Sequence, residues 1–137
     1  MKINSEYADG GGDNPEAVAP ALTEAVSADQ GWSESAEKLL FLIFDAPPHD
    51  GTEAPLDAAI RSAAAQGIRV IPVVASNADR QTELFGRAAA IVTNGTYVFL
   101  TDDSGVGGEH LEPIVGSYDV ELLHDVIVRI INEHRPG

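Results

Sequence analysis

The sequence has no cysteine, few basic residues and few aromatic residues. Without cysteine, the chain can form neither disulfides nor thiolate-based catalytic or zinc sites. Eight Lys and Arg stand against 22 Asp and Glu, which gives a formal net charge of −14. An acidic field of this size disfavours nucleic acid and anionic membrane surfaces as partners and favours cations or basic partners.

Long apolar runs are also missing. No stretch approaches the roughly 18 apolar residues of a membrane-spanning helix, so we expect no membrane insertion. The polar start MKINSEYADGGGDNPE lacks the apolar core of a signal peptide, and the compartment stays open. At 137 residues and 44% hydrophobic content, the chain is long enough for one compact domain over 1–137. Within it, 1–14 is predicted to be a polar segment that ends in a Gly-rich loop.

Three apolar runs are typical of strands in a parallel sheet, at 38–44, 68–74 and 96–100. The run at 38–44 has no polar alternation, so we expect it to be the central strand and to be buried on both faces. Apolar residues recur at spacings of three and four in four further segments, which predicts helices over 15–28, 55–66, 80–90 and 119–134.

Two residues mark helix ends in this pattern. Pro15 is expected at the first position of the first helix, and Gly67 at a helix C-terminus. Because strands and helices alternate, right-handed crossovers are expected between parallel strands. A Gly- and Asp-rich loop is expected at 101–118. The sequence therefore predicts an α/β fold, namely an incomplete doubly wound, Rossmann-like parallel sheet of about three strands flanked by helices.

Four segments carry a family resemblance: GGGDNPEAV at 10–18, LLFLIFDAPPH at 39–49, GIRVIPVVAS at 67–76 and NGTYVFLTDDSGVGGEHLEP at 94–113. Together they resemble bacterial von Willebrand factor A-like (VWA) domain proteins over nearly the whole chain. The resemblance implies a doubly wound sheet with a divalent cation at the carboxyl ends of its strands, held by three loops. It also implies a role in adhesion, assembly or scaffolding.

Those three loops supply an Asp-x-Ser-x-Ser cluster, a Thr in a Gly-rich loop and an Asp at a strand end. Asp45 matches the strand-end aspartate. The Gly-rich loop has Gly12 or Asp13 where the family has Thr, and the Asp-x-Ser-x-Ser cluster has no counterpart. The resemblance thus covers the C-terminal part of the domain, and the first strand is expected to belong before residue 1. Asp45 and Asp13 would form a residual, weak site for Mg²⁺ or Mn²⁺, a cation that the full-length parent would bind more tightly.

We therefore expect a non-catalytic binding, adhesion or assembly module with an incomplete metal-ion-dependent site and a protein partner. No Gly-x-Ser-x-Gly nucleophile motif is present, which argues against a hydrolase. The alternative is a phosphoryl-transfer or receiver-like domain that uses Asp45 as the acceptor and Asp13 as a metal partner. Against it, two prolines follow Asp45, and Thr101 and Asp102 stand where a later strand end would need Lys.

The resemblance also predicts how the chain would associate. In the family's strand order the absent first strand lies beside 38–44, so 39–44 would present an exposed hydrophobic edge. Lys38 is the only charge before Asp45, and no Pro or Gly interrupts the run. We therefore expect self-association or marginal stability. Because 1–8 is too short and polar to replace a buried strand, we favour self-association through this edge over covering by 1–14 or a loose state.

Overall fold

A computed structural model describes residues 15–75, 78–100 and 121–135. Three parallel strands form one sheet: β1 (Lys38–Phe44), β2 (Ile68–Val74) and β3 (Val98–Phe99). Four α-helices flank it: α1 (Val18–Ala25), α2 (Glu53–Ala65), α3 (Arg80–Val92) and α4 (Leu123–Glu133). A short 3₁₀ helix spans Ala28–Gln30. The predicted α/β, Rossmann-like fold class is confirmed.

The strand order is β1-β2-β3, which corrects the expectation that 38–44 is the central strand. Strand β2 holds that place, because it pairs in parallel with β1 from Ile68 to Val74 and with β3 at its carboxyl end. All of β2 except Arg69 is buried. The expected burial of 38–44 on both faces is also wrong in part. Most of β1 is only half-buried, and the Ile43 side chain is 63% exposed.

The two faces of the sheet are covered unequally. Helices α2 and α3 pack on one face, and α1 packs on the same side. Side chains of these three helices join the even-numbered residues of β1 and β2 in the larger apolar cluster. On the other face Ile130 of α4 packs with Ile71 and Val73 of β2, and Leu39 and Phe41 of β1 lie against this smaller cluster.

Several element boundaries differ from those predicted. Helix α1 begins at Val18 and not at Pro15, because Glu16 forms a parallel bridge with Pro48 and the chain turns into the helix only afterwards. The predicted start of the last helix at 119 lies outside the described residues, whose helix begins at Leu123. Gly67 follows α2 with φ of 68°, as predicted for a helix C-terminus.

The connection from α3 to β3 is set by a close approach of two backbone segments. Gly95 donates its N–H to the carbonyl of Ala90 at 2.8 Å, and it lies against the Val70 backbone of β2. A Cβ at Gly95 would lie 1.9 Å from the Val70 carbonyl oxygen. Only glycine fits this position, so β3 can follow α3 closely and pair with β2.

Candidate functional site

The carboxyl ends of the three strands lie together along one edge of the sheet, because all three run in the same direction. Ala75 donates its N–H to Phe44 at 2.9 Å, and Leu100 donates to Val74 at 3.0 Å. These two bonds carry the alignment one residue beyond β2 and β3. Open parallel sheets bind ligands outside such an edge. Asp45 is the first residue after β1 and therefore lies at this edge of the sheet.

Glu16 lies beside Asp45, although the two are far apart in sequence. The N–H of Glu16 donates to the carbonyl of Pro47 at 2.9 Å, and Glu16 forms an isolated parallel bridge with Pro48. This pairing places the residue before α1 next to the loop after β1. The carboxyl groups of Glu16 and Asp45 are close enough for Asp45 to shift the pKa of Glu16. The centre of the candidate site is thus a pair of carboxyl groups.

Burial raises the pKa of Glu16, and the hydrogen bond with Asp45 and its negative charge raise it further. Two carboxyl groups can share a hydrogen bond only if one of them carries a proton, since an ionised carboxylate has no donor. Glu16 therefore holds its proton more tightly than an isolated glutamate does.

The loop that carries Asp45 is anchored on both sides. Asp45 itself is exposed, whereas Phe44 before it and Ala46 after it are buried. The Phe44 ring meets the Phe85 ring of α3 edge to face at 5.6 Å between centroids. Further along, the Thr52 hydroxyl donates to the His49 carbonyl. The carboxylate therefore projects from a backbone that is fixed at both ends.

A further acidic residue at this edge, Asp79, has a structural role. Asp79 caps α3, and its carboxylate accepts hydrogen bonds from the backbone and the hydroxyl of Thr82. The backbone N–H of Thr82 is the main cause of the lowered pKa of Asp79, ahead of the smaller and opposing effect of burial. Because both bonds use the same oxygen, Oδ1, the cap holds the carboxylate at the helix terminus.

The donor set fits a hard cation only in part. Glu16 and Asp45 offer oxygen ligands, the type that Mg²⁺ and Mn²⁺ prefer, but such ions want about six. Over 15–75, 78–100 and 121–135 there is no group of three or more His, Cys, Asp or Glu side chains that could hold a metal. Asp13, the second predicted ligand, lies outside the described residues. Glu16 was missed, because Pro15 read as a helix start and therefore assigned Glu16 to the helix.

A cavity of about 20 Å³ lies between the ends of β2 and β3, lined by residues that include Val74, Ala78, Tyr97 and Leu100. Such a volume is close to that of a single water molecule. Burial raises the pKa of Tyr97 to about 12, so this phenol stays protonated at neutral pH. As far as the described residues line it, this cavity has room for about one water molecule.

None of the helices in the described part of the chain is both long and apolar enough to cross a lipid bilayer. No protein-family model matches the chain, and no curated protein matches it either.

Proposed function

We propose that the chain is a non-catalytic binding module, resembling a VWA domain, that contacts a protein partner through the carboxyl edge of its sheet. The Glu16–Asp45 carboxyl pair carries the proposal, because it places charged, ligand-competent groups at that edge. The chain's excess of acidic residues favours a partner that presents basic side chains there.

The strand order supports the resemblance on which this proposal rests. Strands β1, β2 and β3 follow one another in space as they do in sequence, with their crossover helices on one face. In a doubly wound sheet the order in which the strands are added reverses at a switch point. Helices after that point cover the opposite face. Strand β1 would stand at such a switch point, and Asp45 at its carboxyl end would face the ligand crevice.

The proposed module would bind a divalent cation only weakly. Glu16 and Asp45 would hold Mg²⁺ or Mn²⁺ when it is bound, and the ion would polarise a ligand oxygen of the partner. Within the described residues only these two carboxyl groups meet at the edge, so water would have to supply most of the remaining ligands. The raised pKa of Glu16 also makes metal binding compete with a proton there. We therefore expect binding in the millimolar range and no tightly held metal.

Calorimetric titration with Mg²⁺ and with Mn²⁺ tests the weakened site. The wild-type chain should give weak heats that disappear in Asp45→Ala and persist in Glu34→Ala, a matched change at an exposed acidic residue outside the site. A micromolar site that is lost in Asp45→Ala would contradict the proposal of an incomplete site.

Partner binding needs its own test. The wild-type chain, Asp45→Lys and Glu34→Lys are immobilised at equal density, and the proteins retained from an extract of the source cells are quantified. A protein retained by the wild type and by Glu34→Lys, and lost with Asp45→Lys, is the expected result. Equal retention by all three would place the binding surface elsewhere.

The competing function is phosphoryl transfer with Asp45 as the acceptor. The neighbouring Glu16 carboxyl argues against it. An aspartyl-phosphate at this position would bring two negative charges next to the Glu16 carboxyl. Phosphoryl chemistry calls for cationic groups or metal ions around the acceptor. Incubation with acetyl phosphate and Mg²⁺, followed by intact mass measurement, separates the two functions. A binding module gains no phosphate, whereas a phosphorylated Asp45 would overturn the proposal.

A further inference from the structure

We propose that the open edge of β1 is an interface between two copies of this chain. The two β1 strands would pair antiparallel across a twofold axis that is perpendicular to the sheet. Two three-stranded sheets would then continue as one. This inference uses the edge of β1, away from the carboxyl pair, and it does not depend on the proposed metal or partner site.

One side of β1 has no strand partner among residues 15–75, 78–100 and 121–135. In the described part of the chain β1 has a single strand neighbour, β2. The carbonyl of Phe44 points to β2, where it accepts the N–H of Ala75. Successive residues of a strand direct their N–H and C=O groups to opposite sides. The backbone groups of Leu39, Phe41 and Ile43 therefore face away from β2, towards the open edge.

This edge has none of the usual protection against pairing. No charge, proline or glycine interrupts Leu39 to Phe44. Lys38 cannot guard the edge, because its Nζ donates to the carbonyl of Gln66 at 2.7 Å at the end of α2. Ile43 is 63% exposed, which is unusual for a β-branched side chain in a sheet. Leu39–Phe44 thus form an apolar edge that no strand of the described residues covers.

A second copy fits this edge because the edge is self-complementary. A perpendicular twofold axis keeps the two α4 faces on the same side, so odd-numbered residues must lie opposite odd-numbered ones. Pairing over the full length of β1 places Phe41 opposite Phe41 of the second copy, and Leu39 opposite Ile43. All three outward-facing residues then exchange backbone hydrogen bonds with the second copy.

The chain's own first residues are a poorer occupant of the edge. Segment 1–14 has three consecutive glycines and one β-branched residue, Ile3, so its strand propensity is low.

The net charge of −14 on each copy opposes association at a distance. The pairing itself is made of backbone hydrogen bonds and apolar contacts, which salt does not weaken, whereas salt screens the long-range repulsion. The dimer should therefore become stronger as NaCl is raised. This response is opposite to that of an interface held by ion pairs.

Sedimentation velocity over a concentration series, at low and at high NaCl, tests the interface. The wild-type chain should shift from monomer to dimer, at lower concentration in high salt. Ile43→Lys puts a charge on the edge and should weaken the dimer about tenfold or more. Ile91→Lys is the control, since Ile91 on α3 is 79% exposed and distant from β1 in the sheet order. A compact monomer at every concentration in high salt overturns the proposal, as does equal weakening by both variants.

A single introduced cysteine tests the register, because the chain has none of its own. In the proposed pairing the two copies of residue 41 have Cα atoms about 5.5 Å apart, within the range of a disulfide. Oxidation should therefore cross-link Phe41→Cys into a dimer and leave Ile91→Cys monomeric. If Phe41→Cys does not melt cooperatively, the double variant Leu39→Cys with Ile43→Cys tests the same register. A dimer in which neither edge variant cross-links contradicts the β1 pairing.

Discussion

The carboxylate of Asp79 accepts two hydrogen bonds from Thr82, one from its backbone N–H and one from its hydroxyl, each at 2.8 Å. Thr82 is fully buried, so its hydroxyl depends on this partner. We predict that Asp79→Ala lowers the free energy of unfolding by about 1–2 kcal/mol, through the lost cap and the unpaired hydroxyl. Chemical denaturation measures the loss. Asp79→Asn, which keeps an acceptor, should recover most of it.

The same cap predicts a pH dependence. The pKa of Asp79 is lowered on folding, so the ionised side chain stabilises the folded state. This contribution is fully present above the unfolded pKa of about 3.9, and it is lost as pH falls through the lower folded pKa. The stability gap between wild type and Asp79→Asn should therefore shrink below about pH 4. A gap that is constant down to acid pH would show that the charge of Asp79 is irrelevant to the cap.

A side chain at Gly95 should destabilise the fold by steric clash alone. Gly95→Ala would place a methyl carbon 1.9 Å from the Val70 carbonyl oxygen, so one backbone segment must move. We expect a loss of about 3 kcal/mol or more in the free energy of unfolding. Gly51→Ala is the comparison, because Gly51 has φ of 79° and nothing within 4 Å of its added Cβ. It should cost only about 1 kcal/mol. Similar losses in both variants would argue against the close approach.

Substitutions at Phe41 and Ile43 of β1 should differ in their effect on stability. Phe41 packs against the cluster around Ile130, whereas Ile43 is largely exposed. Phe41→Asp should abolish cooperative thermal unfolding or lower stability by about 3 kcal/mol, because the carboxylate gains no partner there. Ile43→Asp should leave the melt nearly unchanged at concentrations where the chain is monomeric. Retention of the wild-type melt by Phe41→Asp would show that the α4 face of β1 is not part of the core.

Removing one carboxyl group of the Glu16–Asp45 pair is expected to stabilise the fold at neutral pH, unlike the destabilising substitutions above. Because the folded pKa of Glu16 is raised, the pair stabilises the fold below the unfolded pKa of Glu16 and loses this contribution as pH rises through the folded value. Asp45→Asn removes the repulsion and should therefore raise the melting temperature slightly at pH 8. Millimolar Mg²⁺ should raise it in the wild type and not in Asp45→Asn. An unchanged wild-type melt in Mg²⁺ would argue against any metal role of the pair.

Much of the sheet could be predicted from local sequence, because buried strands are short apolar runs. The bounds of β2 and the turn at Gly67 were predicted as observed. Strand β3 is shorter than predicted, at two residues, and α3 continues to Val92 although Ile91 and Val92 are exposed. Exposed apolar residues carry no periodic signal, so the pattern placed the end of this helix too early.

The place of β1 and the composition of the site depend on contacts between distant segments. Periodicity cannot reveal which strand lies in the middle, since an apolar run reads the same at an edge. Asp45 could be found because it directly follows a strand. Glu16 could not, because its position depends on the bridge to Pro48, and the local signal of Pro15 pointed to a helix start. Asp13 and the VWA resemblance stay predictions.

The unequal covering of the sheet implies an order of opening. Three helices share the larger cluster, whereas α4 is anchored by one fully buried side chain, Ile130. After α4, His134 is partly buried and Arg135 is exposed. Native proteins open first where few buried contacts must be broken. Helix α4 would thus detach before the rest of the domain unfolds, and amide protons of α4 would exchange with solvent while those of β2 remain protected. In such a partly open form Leu39 and Phe41 would join the free edge of β1, so the surface that two copies can share would grow as α4 leaves.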